Sequence, residues 1–516
     1  VSEERKSLLY KLEPLIKRFP AVTKPEGHVH FRTKLLWSFG CLLAYFVLSN
    51  VFIYGLGSSH LDVFSSFRAI LAGASGSLVH LGIGPIVTGS IIMQLFVGAK
   101  IIKLDLQDSE DKGIYQGAQK ILVVVMIFVE AIPQVFGFLT PDQVAIDRFG
   151  LGWSRFLIII QLAVGSYLVF LMDEVVSKWG LGSGISLFIV AGVAQSIFTG
   201  LISWIPQTTG SPLSVNNPPG GILPKTVYLL TQYTSGQLIA GGGFDTLLLG
   251  RPGETNTIAA LLGTLTTFFV VVYAEASRIE LPLAHGRVRG ARGRYPIRLL
   301  YASNIPVILA GALLANVNLI GLLLWSGPLA GMPFLGHKLW VGGYQDGTTT
   351  PVTGIAYYFS QVNGLSRWLL PFISPAYEGL FLTRAAWQII LHVFFYSAFM
   401  IGGSVIFSIF WIETTNMGPD QVAKQIEGSG MQIPGFRRDP RVTAKILERY
   451  IPVVTVIGGG AVGVLAVFAD LIGTLGNASG TGILLAVGIL QRLYEQIAKE
   501  QAMEMHPVLR GFFGEG

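Results

Sequence analysis

The sequence predicts an all-α polytopic membrane protein, and three observations predict it. Of its 516 residues, 51% are hydrophobic and only 13% are charged, where soluble proteins carry roughly 25% charged residues. The mean hydropathy is +0.58. Ten apolar segments run through the chain, each long enough, or nearly so, to cross a bilayer core about 30 Å thick. Length alone suggests several soluble domains, but one large helical domain is expected where each element has only to cross the bilayer. The single cysteine, Cys41, lies in an apolar run, so it excludes an intramolecular disulfide and reads as packing.

Residues 1–35 hold no apolar core of signal-peptide length. Leu8, Leu12, Leu15, Ile16 and Phe19 instead recur at helical spacing opposite Lys11, Lys17 and Arg18, predicting a cytoplasmic amphipathic helix on the membrane surface, interrupted by Pro14. Spans are expected at 36–56, 76–99, 119–139, 154–173, 185–205, 256–277, 299–325, 386–411, 451–471 and 477–495. The first half thus covers 36–205 and the second 256–495, joined by an outside loop at 206–255. Within the second half lie cytoplasmic basic loops at 278–298 and 412–450 and an outside loop at 326–385; a cytoplasmic tail follows at 496–516. The second span is irregular. "LVHLGIGPIVTGSIIMQLF" puts Gly82, Gly84 and Pro85 in its first turns, after a half-polar stretch too short and wet to span. A broken helix survives in a membrane only where protein buries it or it lines a cavity. This span therefore borders a pore, or is a kink packed against its neighbours.

Orientation follows from charge. With the N-terminus inside, 28 of the 36 Lys and Arg residues fall on the inner side, which sets both termini in the cytoplasm. The stretch "HGRVRGARGRYPIR" carries Arg287, Arg289, Arg292, Arg294 and Arg298 and no acid. One or two of these would anchor topology; the density, interleaved with Gly286, Gly290 and Gly293, suits a projecting loop that meets a large anionic partner. Lys424, Arg437, Arg438, Arg441, Lys445 and Arg449 form a second cluster on the same side. RNA phosphate and anionic lipid headgroups are both candidates.

Glu130 lies well inside a span, and an intramembrane acid marks function by default. A proton relay in a transporter would account for it, although Asp173, Glu174, Glu275 and Asp470 all lie near span ends. No His-Glu-x-x-His, Walker-type loop or Cys/His cluster is present, so no enzyme, metal or cofactor is expected.

"LGIGPIVTGSIIMQLFVG", "DEVVSKWGLGSGISLFI", "IELPLAHGRVRGARGRYPIRLLYASNIPVILAGALLAN" and "GTGILLAVGILQRLYEQ" closely resemble the SecY family, the central subunit of the protein-conducting translocon, in its archaeal and eukaryotic-like branch. The resemblance covers all ten spans. It implies two halves of five helices related by inverted pseudo-symmetry, an hourglass pore, a half-inserted plug helix and a lateral gate to lipid. The pore ring it implies is Ile83, Val87, Ile185, Ile189, Ile308 and Leu485. Two of those pairs are spaced i, i+4, which places both members on one helix face, and a narrow aliphatic ring excludes ions by dewetting. Taken singly, each of these residues reads as packing. The implied plug is residues 60–75, with His60, Asp62 and Arg68; the implied gate is Thr88, Glu130 and Asn316.

A passive, gated channel in the cell (plasma) membrane is implied, moving unfolded secretory chains across and releasing apolar segments into lipid. Its implied partners are two small membrane subunits (SecE/gamma-like and beta-like), signal sequences and nascent polypeptide, the lipid bilayer, and a translating ribosome docked on Arg287, Arg289, Arg292, Arg294, Arg298, Arg437 and Arg438. An ion-coupled secondary transporter with inverted repeats is the alternative. The outside loops look extended relative to compact family members.

Overall fold

A computed structural model describes residues 10–505 apart from short stretches, the longest being 58–61, 63–67, 207–211, 286–291, 378–383 and 433–439. His60, Arg287, Arg289, Arg437 and Arg438 fall outside the described residues, as do the side chains of Arg292 and Arg294.

Ten helices correspond to the ten expected spans. They run Phe31–Asn50, Gly84–Gly98, Ser109–Gly137, Leu151–Trp179, Gly184–Ile202, Ile258–Ala276, Ile305–Trp325, Ala386–Thr414, Pro440–Ile472 and Gly480–Met505. Among the described residues, eight are long and apolar enough to cross a bilayer unaided. The other two are the second, of 15 residues, and the tenth, whose last turns are charged. One apolar cluster draws residues from all ten. The seventh helix, with 78% of its apolar window buried, is the centre of the bundle, while the first, at 17%, lies on the rim.

Several boundaries move. The second helix begins at Gly84, not near 76, because Gly82 takes a left-handed φ of +56° and Pro85 suits a first turn. At about 1.5 Å per residue, this helix falls short of the roughly 30 Å core. Residues 76–83 complete the crossing in turns buried by protein, with Val79, Leu81 and Ile83 fully enclosed. The ninth helix starts at Pro440, about ten residues before the expected span. The helix Pro419–Gly428 packs against it and the end of the eighth through Ile412, Val422, Ala423, Ile426, Leu447 and Ile451. The second basic loop is therefore largely a helical platform. The first is a β-hairpin: β1 (Arg278–His285) pairs antiparallel with β2 (Arg292–Arg298), from Arg278 opposite Arg298 to Ala284 opposite Arg292.

Of the residues on which the surface-helix expectation rests, Leu8, Lys11, Leu12, Lys17 and Phe19 lie outside the described residues. Glu13–Ile16 is α-helical, and Ile16 sits against Gly117 of the third helix, where a Cβ would come within 2.3 Å of it. Tyr10 donates to Asp111, and the Val22 N–H donates to Glu174 at 3.2 Å. At these described residues the segment touches the third and fourth helices.

The two halves begin their last helices in the same way. An aspartate in the last two turns of the preceding helix satisfies a free amide of the next, as helix N-termini require. Asp173 accepts from the Ile185 N–H at 2.9 Å in the first half, and Asp470 accepts from the Thr481 N–H at 2.9 Å in the second.

Candidate pore, plug and lateral gate

The residues implied as the ring come from four helices. Ile83 immediately precedes the second helix and Val87 lies within it; Ile185 and Ile189 come from the fifth, Ile308 from the seventh and Leu485 from the tenth. Five of the six are buried in the central cluster and Ile185 packs at its edge. Ile70, Leu71 and Ala72 belong to the same cluster, and the short helix Arg68–Leu71 packs against the fifth, seventh and tenth helices.

The short helix enters from the side opposite the hairpin. Its C-terminal carbonyls are held by the channel wall. The Ile83 N–H donates to the Leu71 carbonyl at 2.8 Å, and the Tyr45 hydroxyl donates to the Ala72 carbonyl at 2.9 Å. Tyr45 is buried and stacks on Phe188 of the fifth helix. At Gly82 a Cβ would stand 2.1 Å from the Leu71 carbonyl oxygen, so only glycine admits this docking.

A polar cluster closes the other side of the plug. Arg68 pairs with Asp62 at 2.5 Å and donates to the His80 carbonyl. The Gly76 N–H donates to His80 Nδ1 at 3.0 Å, which leaves Nε2 to carry the proton and donate to Gln134 Oε1 at 3.2 Å. Tyr45, His80 and Gln134 were not among the residues expected from sequence. The only cue to His80 was a lone polar residue in an apolar run, a pattern that does not by itself distinguish core from function.

Replacing Gly82 with Ala is expected to undock the plug. The left-handed backbone alone costs a non-glycine residue about 1–2 kcal/mol, and the clash with a backbone carbonyl adds to that. Raised resting ion leak in reconstituted channels checks this; leak at the wild-type level refutes it.

The expected gate triad does not converge. Thr88 Oγ1 lies 2.7 Å from Glu130 Oε1 and 2.6 Å from the Gly84 carbonyl, joining the second and third helices within one half. The Asn316 amide donates to the Ala312 carbonyl of its own helix at 3.0 Å and makes no bond to either partner. Between the halves, the second helix packs against the seventh and eighth. One close approach is Gly98 to Phe410, where a Cβ would lie 2.7 Å from the ring. Thr88→Val should lower the melting temperature, because a buried carboxyl left without its partner costs about 1–3 kcal/mol. Asn316→Leu should stay near wild type. Thermal unfolding in detergent separates the two.

At the hairpin base, Arg298 pairs with Glu495 of the tenth helix, both partly exposed. Lys34 of the first helix pairs with Glu500 of the tenth at 2.6 Å. Arg298 is thus engaged within the chain, and a partly exposed pair of this kind is worth about 1 kcal/mol or less.

A ten-helix membrane bundle with a short helix docked among its central spans defines a gated channel. Residues 77–494 match the family described as SecY, and residues 43–76 match the plug domain of Sec61p. The chain is 45% identical to the protein translocase subunit SecY of Archaeoglobus fulgidus over 513 residues, 99% of each chain. It is 41% identical to that of Methanocaldococcus jannaschii, over 97% of this chain and 98% of the relative. A solved structure described as "The structure of a protein conducting channel" superposes with a TM-score of 0.74 at 40% identity, covering 96% of this chain and 98% of the other. Sec61 in the canine ribosome–channel complex superposes with a TM-score of 0.71 at 40% identity, with the same shares covered. The chain belongs to the SecY family.

Proposed function

We infer that the chain is the channel-forming subunit of a protein translocase, a passive gated pore that conducts unfolded secretory polypeptides and releases apolar segments sideways into lipid. What supports this reading is the central apolar cluster, in which the implied ring residues from four helices lie together with Ile70, Leu71 and Ala72, a segment held by its backbone carbonyls. An apolar seal gives a passing chain no hydrogen bonds to cling to, which suits substrates of varied sequence. The relay that a transporter needs is not assembled among the described residues. Asp173 and Asp470 cap helices, and Glu130 is joined to Thr88.

The basic hairpin and the helical platform face the cytoplasm together with both termini, in the plasma membrane. They dock a translating ribosome, the partner named with a structural relative, and two small membrane subunits complete the assembly. Photo-cross-linking a stalled secretory chain tests the reading: adducts at Ile83, Ile189 and Leu485 are expected. Adducts confined to lipid-facing positions such as Phe269 would falsify it.

A further inference from the structure

The loop joining the two halves contains a helix that faces the wrong way for water. In Ile222–Gln232 the one charged residue, Lys225, is fully buried, bonded to Glu254 at 3.3 Å and to the Asn256 carbonyl at 2.9 Å. Leu223, Val227 and Leu230, spaced i, i+4 and i+7 and therefore on one face, are each more than half exposed. The two threonines turn their hydroxyls back onto the helix. Thr226 donates to the Ile222 carbonyl and Thr231 to the Val227 carbonyl, both at 2.7 Å. The inward face is accounted for: Ile222 and Leu229 pack with Leu238, Leu247 and Leu475 beneath the outer ends of the fifth and sixth helices.

The position of this helix is also set. The Gly221 N–H donates to the Ser203 carbonyl at 2.7 Å and the Gly220 N–H to the Ile205 carbonyl at 2.8 Å, so the helix begins at the depth where the fifth span ends. There Phe198, Ile202, Trp204 and Ile205, at the end of the fifth span, are exposed apolar residues as Leu223 is. Trp and Tyr collect at membrane–water boundaries, and Tyr228 and Tyr233 share a hydroxyl contact of 3.4 Å along the same segment. At eleven residues the helix reaches about 16 Å, half a bilayer core, so it cannot span.

We propose that Ile222–Gln232 is an interfacial helix that seats Leu223, Val227 and Leu230 among the lipids of the leaflet opposite the hairpin, tethering the connection between the two halves to the membrane. Water would hydrate an exposed aliphatic stripe at a cost of roughly 25 cal/mol per Å², whereas acyl chains remove that cost. Inward-turned charge and self-satisfied hydroxyls are what a lipid-facing helix requires. The proposal rests on the membrane placement of the chain and not on its conducting activity.

The test is spin-label accessibility in the full channel complex reconstituted in phosphatidylcholine nanodiscs. Single cysteines replace Leu223, Val227 and Leu230 in turn, in a Cys41→Ser background. Phe269, exposed on the sixth helix, is the lipid reference and Glu448, exposed beyond the membrane on the ninth, is the water reference. At all three positions the ratio of oxygen to nickel-chelate collisions is expected to match that at Phe269. A ratio matching Glu448 would place the face in water. Suppressed collisions with both reagents would place it under another protein. Either result overturns the proposal.

Discussion

Channels carrying Ile83→Asn together with Ile189→Asn are expected to leak ions at rest and to admit chains with weak signal sequences. Both side chains are fully buried in the central apolar cluster, where an amide finds no partner among the surrounding aliphatics. Each unpaired amide costs the closed state about 1–3 kcal/mol. Two of them amount to a large part of the roughly 5.5 kcal/mol that carries a two-state element from 1% to 99% open. Water is drawn into the ring and the dewetted barrier is lost. Planar-bilayer recordings measure this directly. Closed-state conductance equal to wild type would remove both residues from the seal, and Ile→Leu at the same positions should leave the seal intact.

Reversing Arg287, Arg289 and Arg294 to Glu is expected to weaken ribosome binding steeply and to flatten its salt dependence. Each phosphate that the variant no longer neutralises lowers the salt slope by about 1, so the slope of the triple variant should fall by about 3. Topology should survive, because Arg278, Arg292 and Arg298 remain at the same membrane face. Arg298 is left out because its pairing with Glu495 makes it part of the hairpin base. Solubilised variants with unchanged affinity for ribosomes across a salt series would exclude the docking role; altered binding only to anionic vesicles would assign the hairpin to lipid headgroups.

Much of the bundle was legible in the hydropathy because lipid-facing and protein-facing helices are both apolar. That same property hid the boundaries. Val79, Leu81 and Ile83 read as the first turns of a span, but they are enclosed by protein, and burial in protein leaves the same mark on a sequence as burial in lipid. The charges at Arg441, Lys445, Glu448 and Arg449 mark where the ninth helix leaves the bilayer, not where it begins. The break at Gly82, Gly84 and Pro85 could be read directly, since few residues tolerate that backbone. The ring could be identified only through family resemblance, because an i, i+4 aliphatic pair looks the same in a seal as in any packed helix. Tyr45 was missed because its partner is a remote backbone carbonyl with no side-chain signature, and His80 because it divides its ring between the nearby Gly76 N–H and the distant Gln134 side chain, neither of which marks a lone histidine in an apolar run. Asn316 was misjudged for a related reason: its amide is satisfied by a carbonyl one turn back on its own helix.

The way the plug is held sets how this channel can change over generations. Apart from those of the Arg68 side chain, its docking bonds are received by the main-chain carbonyls of Leu71 and Ala72, atoms that every residue type supplies. Substitutions among small and aliphatic residues within the plug therefore leave its hold nearly untouched. The receptor has no such freedom. Losing the hydroxyl of Tyr45 or adding a methyl at Gly82 strikes the bond or the clearance itself. Lineages can diversify the stopper, and with it the ease of opening, while its seat stays fixed.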